Sequence, residues 1–145
     1  MTILLALDGR KNGLARLFQV ATGEGKTNVV AVIAAVEASE GKQVDIITSS
    51  SELAERQHAA MKQFYYDLGI TSNHNANGNA LDVFSGTSFL KHLRNTTFKD
   101  AMREVYESAI VYGPVEDFMA DVLHDEFEGR GVRCKRQHAL ALVDE

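Results

Sequence analysis

Apolar and polar positions alternate along the chain in blocks that predict short strands followed by longer helices. The strand candidates are runs of β-branched and other apolar residues at 14–20, 44–48, 82–85, 109–112 and 139–143. Between them, Pro-free segments predict helices at about 26–40, 51–68, 88–94, 99–107 and 115–128. Strands that alternate with helices in this way predict an α/β fold with a mainly parallel sheet and helices on both faces.

Local signals refine the ends of these elements. Gly41 and Gly69 are placed to end the first two helices, and the serines at 50 and 51 are candidate N-caps for the second. The Asn- and Gly-rich segment 72–79 predicts a surface loop. The last strand, 139–143, is apolar throughout, which predicts that both of its faces are covered.

The helix predicted at 115–128 has an apolar face of its own. The spacing predicts that four apolar residues share one buried face of this helix: Phe118, Val122, Leu123 and Phe127.

The bulk composition is that of one ordinary domain. The chain has 145 residues and a single proline, Pro114, and it lacks a Ser- or Gly-rich spacer. Residues 1–145 are therefore predicted to form a single domain. The longest apolar run has about eight residues, too few to span a bilayer, and no basic segment precedes the apolar N-terminus.

Charge and cysteine content narrow the class of protein further. A single cysteine, Cys134, cannot form an internal disulfide, which favours a reducing compartment and a cytoplasmic protein. The formal net charge is −5 and most basic residues are scattered, which argues against nucleic acid as the main partner.

A glycine-containing motif between the first strand and the first helix carries the clearest chemistry. Glycines let backbone N–H groups surround phosphate oxygens, the lysine adds a positive charge, and the threonine hydroxyl is placed to bind Mg²⁺. The nucleotide-binding residues predicted here are Thr22, Gly23, Glu24, Gly25, Lys26 and Thr27.

This motif departs from the strict eight-residue phosphate-loop pattern. That pattern needs glycine at position 20, where the chain has Val20, so the match is to the shorter helicase type. Glu24 is also unusual, because a carboxylate inside a phosphate site opposes the ligand unless it points away. The alternative interpretation is a glycine-rich helix start without function.

Two acidic residues follow the last strand. Asp144 is predicted to hold Mg²⁺, and Glu145 is predicted to be the catalytic base that orients the attacking water. The alternative is a solvated acidic tail, which the apolar strand immediately before it disfavours. Together the two motifs predict an ATP and Mg²⁺ site for phosphoryl transfer to water.

The chain resembles the SecA preprotein translocase ATPase family, part of the DEAD-like helicase superfamily. The resemblance begins with residues 16–21 and the TGEGKT motif, including its acidic residue between two glycines. It continues in the same order through 46–48 with 53–56, 66–70, 110–113 with the helix after it, and 141–145. The stretch 73–107 matches poorly and looks like a divergent insertion.

The resemblance implies the N-terminal part of a first nucleotide-binding motor domain. It further implies ATP and Mg²⁺ as ligands, and as partners a second motor domain, an unfolded preprotein and a translocation channel. Three departures are evident: no adenine-reading glutamine upstream, an acidic motif that stops at Glu145, and no second motor domain with its arginine finger. We therefore expect a piece of a motor that binds nucleotide weakly and hydrolyses it negligibly.

Two alternatives stay open at this point. One is a helicase-like nucleic-acid motor, and the other is a catalytically silent interaction module that keeps the P-loop fold. Ser49, Ser50 and Arg56 follow the second strand, where such motors contact their polymer, although capping by the serines and an exposed arginine are the favoured explanation.

The remaining polar candidates favour structural roles. The histidines are dispersed, and Cys134 with His138 supplies two ligands, too few for a zinc site. The basic cluster at 130–136 is predicted to be solvent-exposed, with contact to a partner as the alternative.

Overall fold

The fold was described from a computed structural model, which describes residues 17, 19–21, 23, 25–76 and 102–144. The ordered elements alternate between helix and strand, as the apolar pattern predicts. They are α1 (Lys26–Ser39), β1 (Val44–Thr48), α2 (Ser51–Asp67), β2 (Ser72–His74), α3 (residues 102–107), β3 (Ile110–Pro114), α4 (Val115–Glu128) and β4 (Leu140–Val143). Among the helices of these ranges, none is long and apolar enough to cross a membrane.

The four described strands form one parallel sheet in the order β2-β3-β1-β4. In the centre, Val44 pairs with Ile110 on one side and with Leu140 on the other. The prediction of a parallel sheet is confirmed. The prediction of a loop over 72–79 is wrong at its start, because Ser72–His74 pairs with β3 as an edge strand.

Alternate residues of the central strands face opposite layers, which places helices on both sides of the sheet. Val44 and Ile46 pack with alanines of α1 and α2 in one hydrophobic cluster. Val111 lies in a second cluster with residues of α3 and α4, including Tyr106 and Phe118. The predicted helices on both faces are confirmed.

The predicted helix ends are also confirmed. Ser50 is the N-cap of α2, and its hydroxyl oxygen accepts a hydrogen bond from the Leu53 N–H at 3.2 Å. Gly41 and Gly69 follow α1 and α2 with φ angles of +83° and +70°, a region that glycine enters without a Cβ clash.

Two predictions about buried faces are wrong. In β4, Leu140 and Leu142 pack on the first cluster, whereas Val143 is 77% exposed, so the strand is not covered on both faces. In α4, Phe118 is buried, but Leu123 and Phe127 are 51% and 81% exposed. The buried side of α4 instead includes Asp121, a polar residue that the apolar pattern does not reveal.

Several predicted elements lie wholly or mainly outside the described residues. These are the strand at 82–85, the helix at 88–94, the first part of the helix at 99–107 and most of the strand at 14–20. Of that first strand, residues 17, 19 and 20 are described and have no regular secondary structure.

Candidate functional site

The carboxyl ends of the parallel strands meet at one edge of the sheet, where ligands of open α/β sheets bind. Thr48 and Pro114 end β1 and β3 there, and Asp144 follows β4 directly. Only residues 40–43 join α1 to the start of β1, so the first turn of α1 points towards this same edge. The topology therefore brings Lys26 and Asp144 to one edge of the sheet, as the sequence predicts.

The described part of the phosphate motif has the backbone that such a loop needs. Gly23 and Gly25 have φ angles of +85° and +74°, which residues other than glycine rarely adopt. Gly25 is the N-cap of α1, and its carbonyl accepts hydrogen bonds from Asn28 N–H at 2.9 Å and Val29 N–H at 3.1 Å. Among the described residues, no side chain caps α1 and no acidic residue lies in its first turn, so the positive end of this helix suits an anion.

The structure describes only some of the other residues predicted to form the nucleotide site. Lys26 and Thr27 form the first turn of α1 and are half-buried. Thr22, Glu24 and Glu145 lie outside the described residues. Their predicted roles therefore remain predictions.

Asp144 is a buried carboxylate, not a solvated tail. Its residue is 5% exposed, and its backbone N–H donates to the Ile47 carbonyl at 2.8 Å, which extends the pairing of β4 with β1. Its Oδ2 accepts a hydrogen bond from Gln57 Nε2 at 2.9 Å. Within the described ranges, acidic, histidine and cysteine side chains form no cluster of three that could hold a metal alone.

Gln57 is the site residue that the sequence reasoning missed. It lies on the buried side of α2 with Ala54 and Tyr65, and it is 8% exposed. A polar amide at a core position of an amphipathic helix is the signal that could have identified it. Its Nε2 binds Asp144, while its Oε1 is buried and has no hydrogen-bond partner among the described residues.

A pair of tyrosines lies beside this carboxylate. The hydroxyl groups of Tyr65 and Tyr112 are 2.7 Å apart, and both side chains are fully buried. Burial raises the pKa of Tyr112 to about 12, although the hydrogen bond with Tyr65 lowers it, and the negative charge of Asp144 adds a smaller increase. Both phenols are therefore neutral at physiological pH, and both side chains belong to the first hydrophobic cluster.

The histidine next to Gln57 has a structural position. His58, one residue after Gln57 on α2, is buried, and its ring lies 5.3 Å from that of His74 and 5.8 Å from that of Tyr112. Its Nε2 lies 3.2 Å from the Ser72 hydroxyl. Burial lowers the pKa of His58, and His74 and Lys62 lower it further.

The basic cluster at 130–136 corrects a sequence prediction. Arg133 and Arg136 are 6% and 5% exposed, whereas Arg130 and Lys135 are exposed. The Arg136 guanidinium donates to Asp45 Oδ1 at 2.7 Å and to the backbone carbonyls of Val44, Tyr106, Ser108 and Ala109. These carbonyls lie at or just before the amino ends of β1 and β3, so Arg136 joins the strands at the edge opposite the candidate site.

The structure gives a role to only one of the residues predicted to contact a polymer. Ser50 caps α2, and Arg56 is exposed on the same helix. Near them, Ser51 Oγ lies 3.5 Å from Asp117 Oδ2, which links the first turns of α2 and α4. Burial raises the pKa of Asp117. Polymer contact by Ser49, Ser50 or Arg56 stays a prediction.

Comparison with known proteins agrees with this geometry. The family model described as the SecA DEAD-like domain matches residues 12–145. The protein translocase subunit SecA of Desulfovibrio desulfuricans is 32% identical over 131 residues, which cover 90% of this chain and 13% of that protein. The corresponding subunit of Kineococcus radiotolerans is 34% identical over 128 residues, covering 88% of this chain and 12% of that protein.

A third relative, the SecA subunit of Helicobacter pylori, is 29% identical over 131 residues. The alignment covers 90% of this chain and 13% of the relative. The chain thus spans only 12 to 13% of the length of the relatives it matches.

Proposed function

Because the chain belongs to the SecA DEAD-like domain family, we propose that it is the ATP-binding part of a SecA-like motor whose parent couples ATP hydrolysis to polypeptide translocation. The observation that carries the proposal is the buried carboxylate of Asp144 at the edge of the sheet to which the open end of α1 points. In a P-loop motor these two features hold the metal and the phosphates of one nucleotide.

Each residue has a role that its chemistry fits. Gly23 and Gly25 allow the backbone to approach the phosphates, and Lys26 offsets their negative charge. The Thr27 hydroxyl and the Asp144 carboxylate are oxygen ligands of the kind that Mg²⁺ prefers. Mg²⁺ is usually held by one or two protein oxygens together with substrate phosphates, which suits a site with a single described carboxylate.

The donor set at Asp144 is compatible with a hydrated cation. Its carboxylate receives one side-chain hydrogen bond in the described part of the chain, from Gln57, and the Gln57 Oε1 beside it is a buried acceptor without a partner. When bound, Mg²⁺ would offset the charge that develops on the phosphate oxygens during transfer. Asp144 would orient it, and Glu145 would accept the proton of the attacking water.

Hydrolysis by this chain alone is proposed to be negligible. In related motors an arginine supplied by another domain or partner stabilises the transition state and is worth about 10³ to 10⁵ in rate. The chain covers only 13% of its SecA relative, so that relative has ample length for other domains. We therefore expect nucleotide binding without appreciable turnover.

The test is a titration of a fluorescent ATP analogue against the wild-type chain, with and without Mg²⁺. Lys26→Ala should weaken binding at least tenfold, because the variant loses the positive charge beside the phosphates. Lys62→Ala is the matched control, since Lys62 lines a cavity with Gly69 and Glu107, away from α1. Equal affinity in wild type and Lys26→Ala would contradict a nucleotide site.

A second assay separates the classes of motor. Labelled unfolded polypeptide and labelled single-stranded RNA are titrated in parallel over a range of salt concentrations. Binding of RNA with a steep salt dependence, without binding of polypeptide, would contradict the translocase proposal and favour a nucleic-acid motor. The burial of Arg133 and Arg136 removes two basic side chains from the surface, which argues against strong RNA binding.

A further inference from the structure

The hydrogen bond between α2 and Asp144 joins two buried polar side chains that are 87 positions apart in the chain. Gln57 lies on α2 and Asp144 follows β4, and both are less than 10% exposed. Burying an amide and a carboxylate costs free energy unless hydrogen bonds compensate for the lost water. This pair compensates for only part of the loss, because Gln57 Oε1 has no described partner.

The orientation of the amide follows from its neighbour. An ionised carboxylate only accepts hydrogen bonds, so the NH₂ group of Gln57 must face Asp144. The amide oxygen then points elsewhere and needs a donor. The hydroxyl groups of Tyr65 and Tyr112 pair with each other at 2.7 Å, and no described group donates to Oε1, which leaves it available to an external donor.

The donor that best suits this position is a water molecule on a bound cation. Waters of a hydrated Mg²⁺ are strong hydrogen-bond donors, and Mg²⁺ usually keeps several of them. A side chain that both fixes a metal-binding carboxylate and binds a metal-bound water is the arrangement that tunes many metal sites.

We propose that Gln57 is a positioning residue of the Mg²⁺ site: its Nε2 holds Asp144, and its Oε1 accepts a hydrogen bond from a metal-bound water. This inference rests on the proposed function, because it requires Asp144 to bind Mg²⁺ in the nucleotide complex. It adds α2 to the site, and the neighbouring Arg56 lies exposed on the same helix. A rigid helix would thus connect the metal with the outer surface.

The first experiment compares Gln57→Met with wild type. Methionine keeps the volume and flexibility of the side chain but removes both hydrogen-bonding groups. The measured quantity is the ratio of fluorescent-ATP affinity with Mg²⁺ to that with EDTA. We expect this ratio to fall about tenfold in Gln57→Met, the lower end of the effect of such supporting residues, with the EDTA affinity unchanged.

Gln63→Met is the matched control. Gln63 is exposed on the same helix and donates to Asp67 Oδ1 at 2.7 Å, so its replacement should leave the ratio unchanged. Asp144→Asn separates the two proposals. If Asp144→Asn leaves the Mg²⁺ ratio unchanged, the proposed metal site is wrong. If Asp144→Asn lowers the ratio and Gln57→Met does not, only the role of Gln57 is wrong.

A second measurement uses the wild-type chain and therefore does not depend on the folding of a variant. Mn²⁺ replaces Mg²⁺ in the nucleotide complex, and the side-chain amide signals of glutamine are followed by NMR. The paramagnetic ion should broaden the Gln57 NH₂ signals much more strongly than those of Gln63, which lies six positions further along α2. An unbroadened Gln57 signal in the Mn²⁺-nucleotide complex would overturn the proposal.

Discussion

Asp45 and Asp144 are both buried carboxylates of the same sheet, but they lie at opposite edges and have different surroundings. Asp45, near the amino end of β1, binds the Arg136 guanidinium, which also donates to four backbone carbonyls. Asp144, after the carboxyl end of β4, receives a neutral amide hydrogen bond from Gln57. The Asp45 charge is thus neutralised within the chain, whereas the described partners of Asp144 leave its charge unneutralised.

The difference in partners distinguishes a carboxylate with a structural role from one with a binding role in the same fold. A structural carboxylate is stabilised by a full positive charge and a closed set of partners. A binding carboxylate, the role proposed for Asp144, would keep its charge for a cation and be held by a neutral group. Substitutions at the two edges should therefore affect different measurements.

The strongest test of this comparison is the same substitution at both edges. Asp45→Asn leaves the buried Arg136 charge uncompensated, and we expect it to lower the free energy of unfolding by about 3–5 kcal/mol. Asp144→Asn keeps an acceptor for Gln57 and should cost about 1 kcal/mol or less. Urea unfolding of both variants measures the difference. Equal losses at the two positions would show that both carboxylates are structural.

Arg136→Lys tests whether the shape of the guanidinium matters beyond its charge. Lysine keeps the positive charge but cannot reach Asp45 and the several strand carbonyls at once. We expect a loss of about 2 kcal/mol in the free energy of unfolding, as for hydrogen bonds to charged groups. Arg130→Lys, at an exposed position, should change it by less than about 0.5 kcal/mol. Unfolding midpoints that do not distinguish the two variants would refute this role of Arg136.

Ser50→Ala tests a purely structural group at the carboxyl edge. The substitution removes the acceptor for the Leu53 N–H, and we expect a loss of about 1 kcal/mol with unchanged nucleotide affinity. Ser49→Ala is the neighbouring exposed control. If Ser50→Ala changes nucleotide affinity but not thermal stability, the serine belongs to the binding site instead.

The smallest expected effect is a dependence of stability on pH through His58. Its pKa is lowered in the folded chain from the ordinary value of 6.5, so the unfolded chain takes up a proton first as the pH falls. The stabilisation is therefore complete above pH 6.5 and decreases as the pH falls towards the folded pKa. His58→Gln should lose less stability than wild type between pH 7.5 and 5.5 in thermal unfolding. Parallel pH profiles for the two proteins would contradict this assignment.

The sequence predicted the main elements well because their signals are local. The Pro-free helices, the serine cap at Ser50 and the glycines after α1 and α2 act within a few residues, and the structure confirms them. The strands β1, β3 and β4 were also predicted, because short β-branched and apolar runs suit a sheet buried between helices.

The failures concern contacts between distant parts of the chain. Arg136 and Asp45 are 91 positions apart, so a basic cluster read locally gives no sign that one of its arginines is buried. β2 was missed because its polar residues form a strand only through pairing with β3. Gln57 was missed for the same reason, since its partner lies far along the chain. The predicted phosphate motif, by contrast, is contiguous, so a sequence is enough to propose it.

The pairing of β4 with β1 also sets the order in which the site can assemble during synthesis. Val44 emerges from the ribosome long before its partner Leu140, so the second side of β1 stays unpaired until β4 has been synthesised. Contacts this distant in sequence form slowly and leave strand edges exposed meanwhile. Asp144 reaches its position only when β4 pairs with β1, so the metal and nucleotide site proposed here could not form in a nascent chain before that pairing.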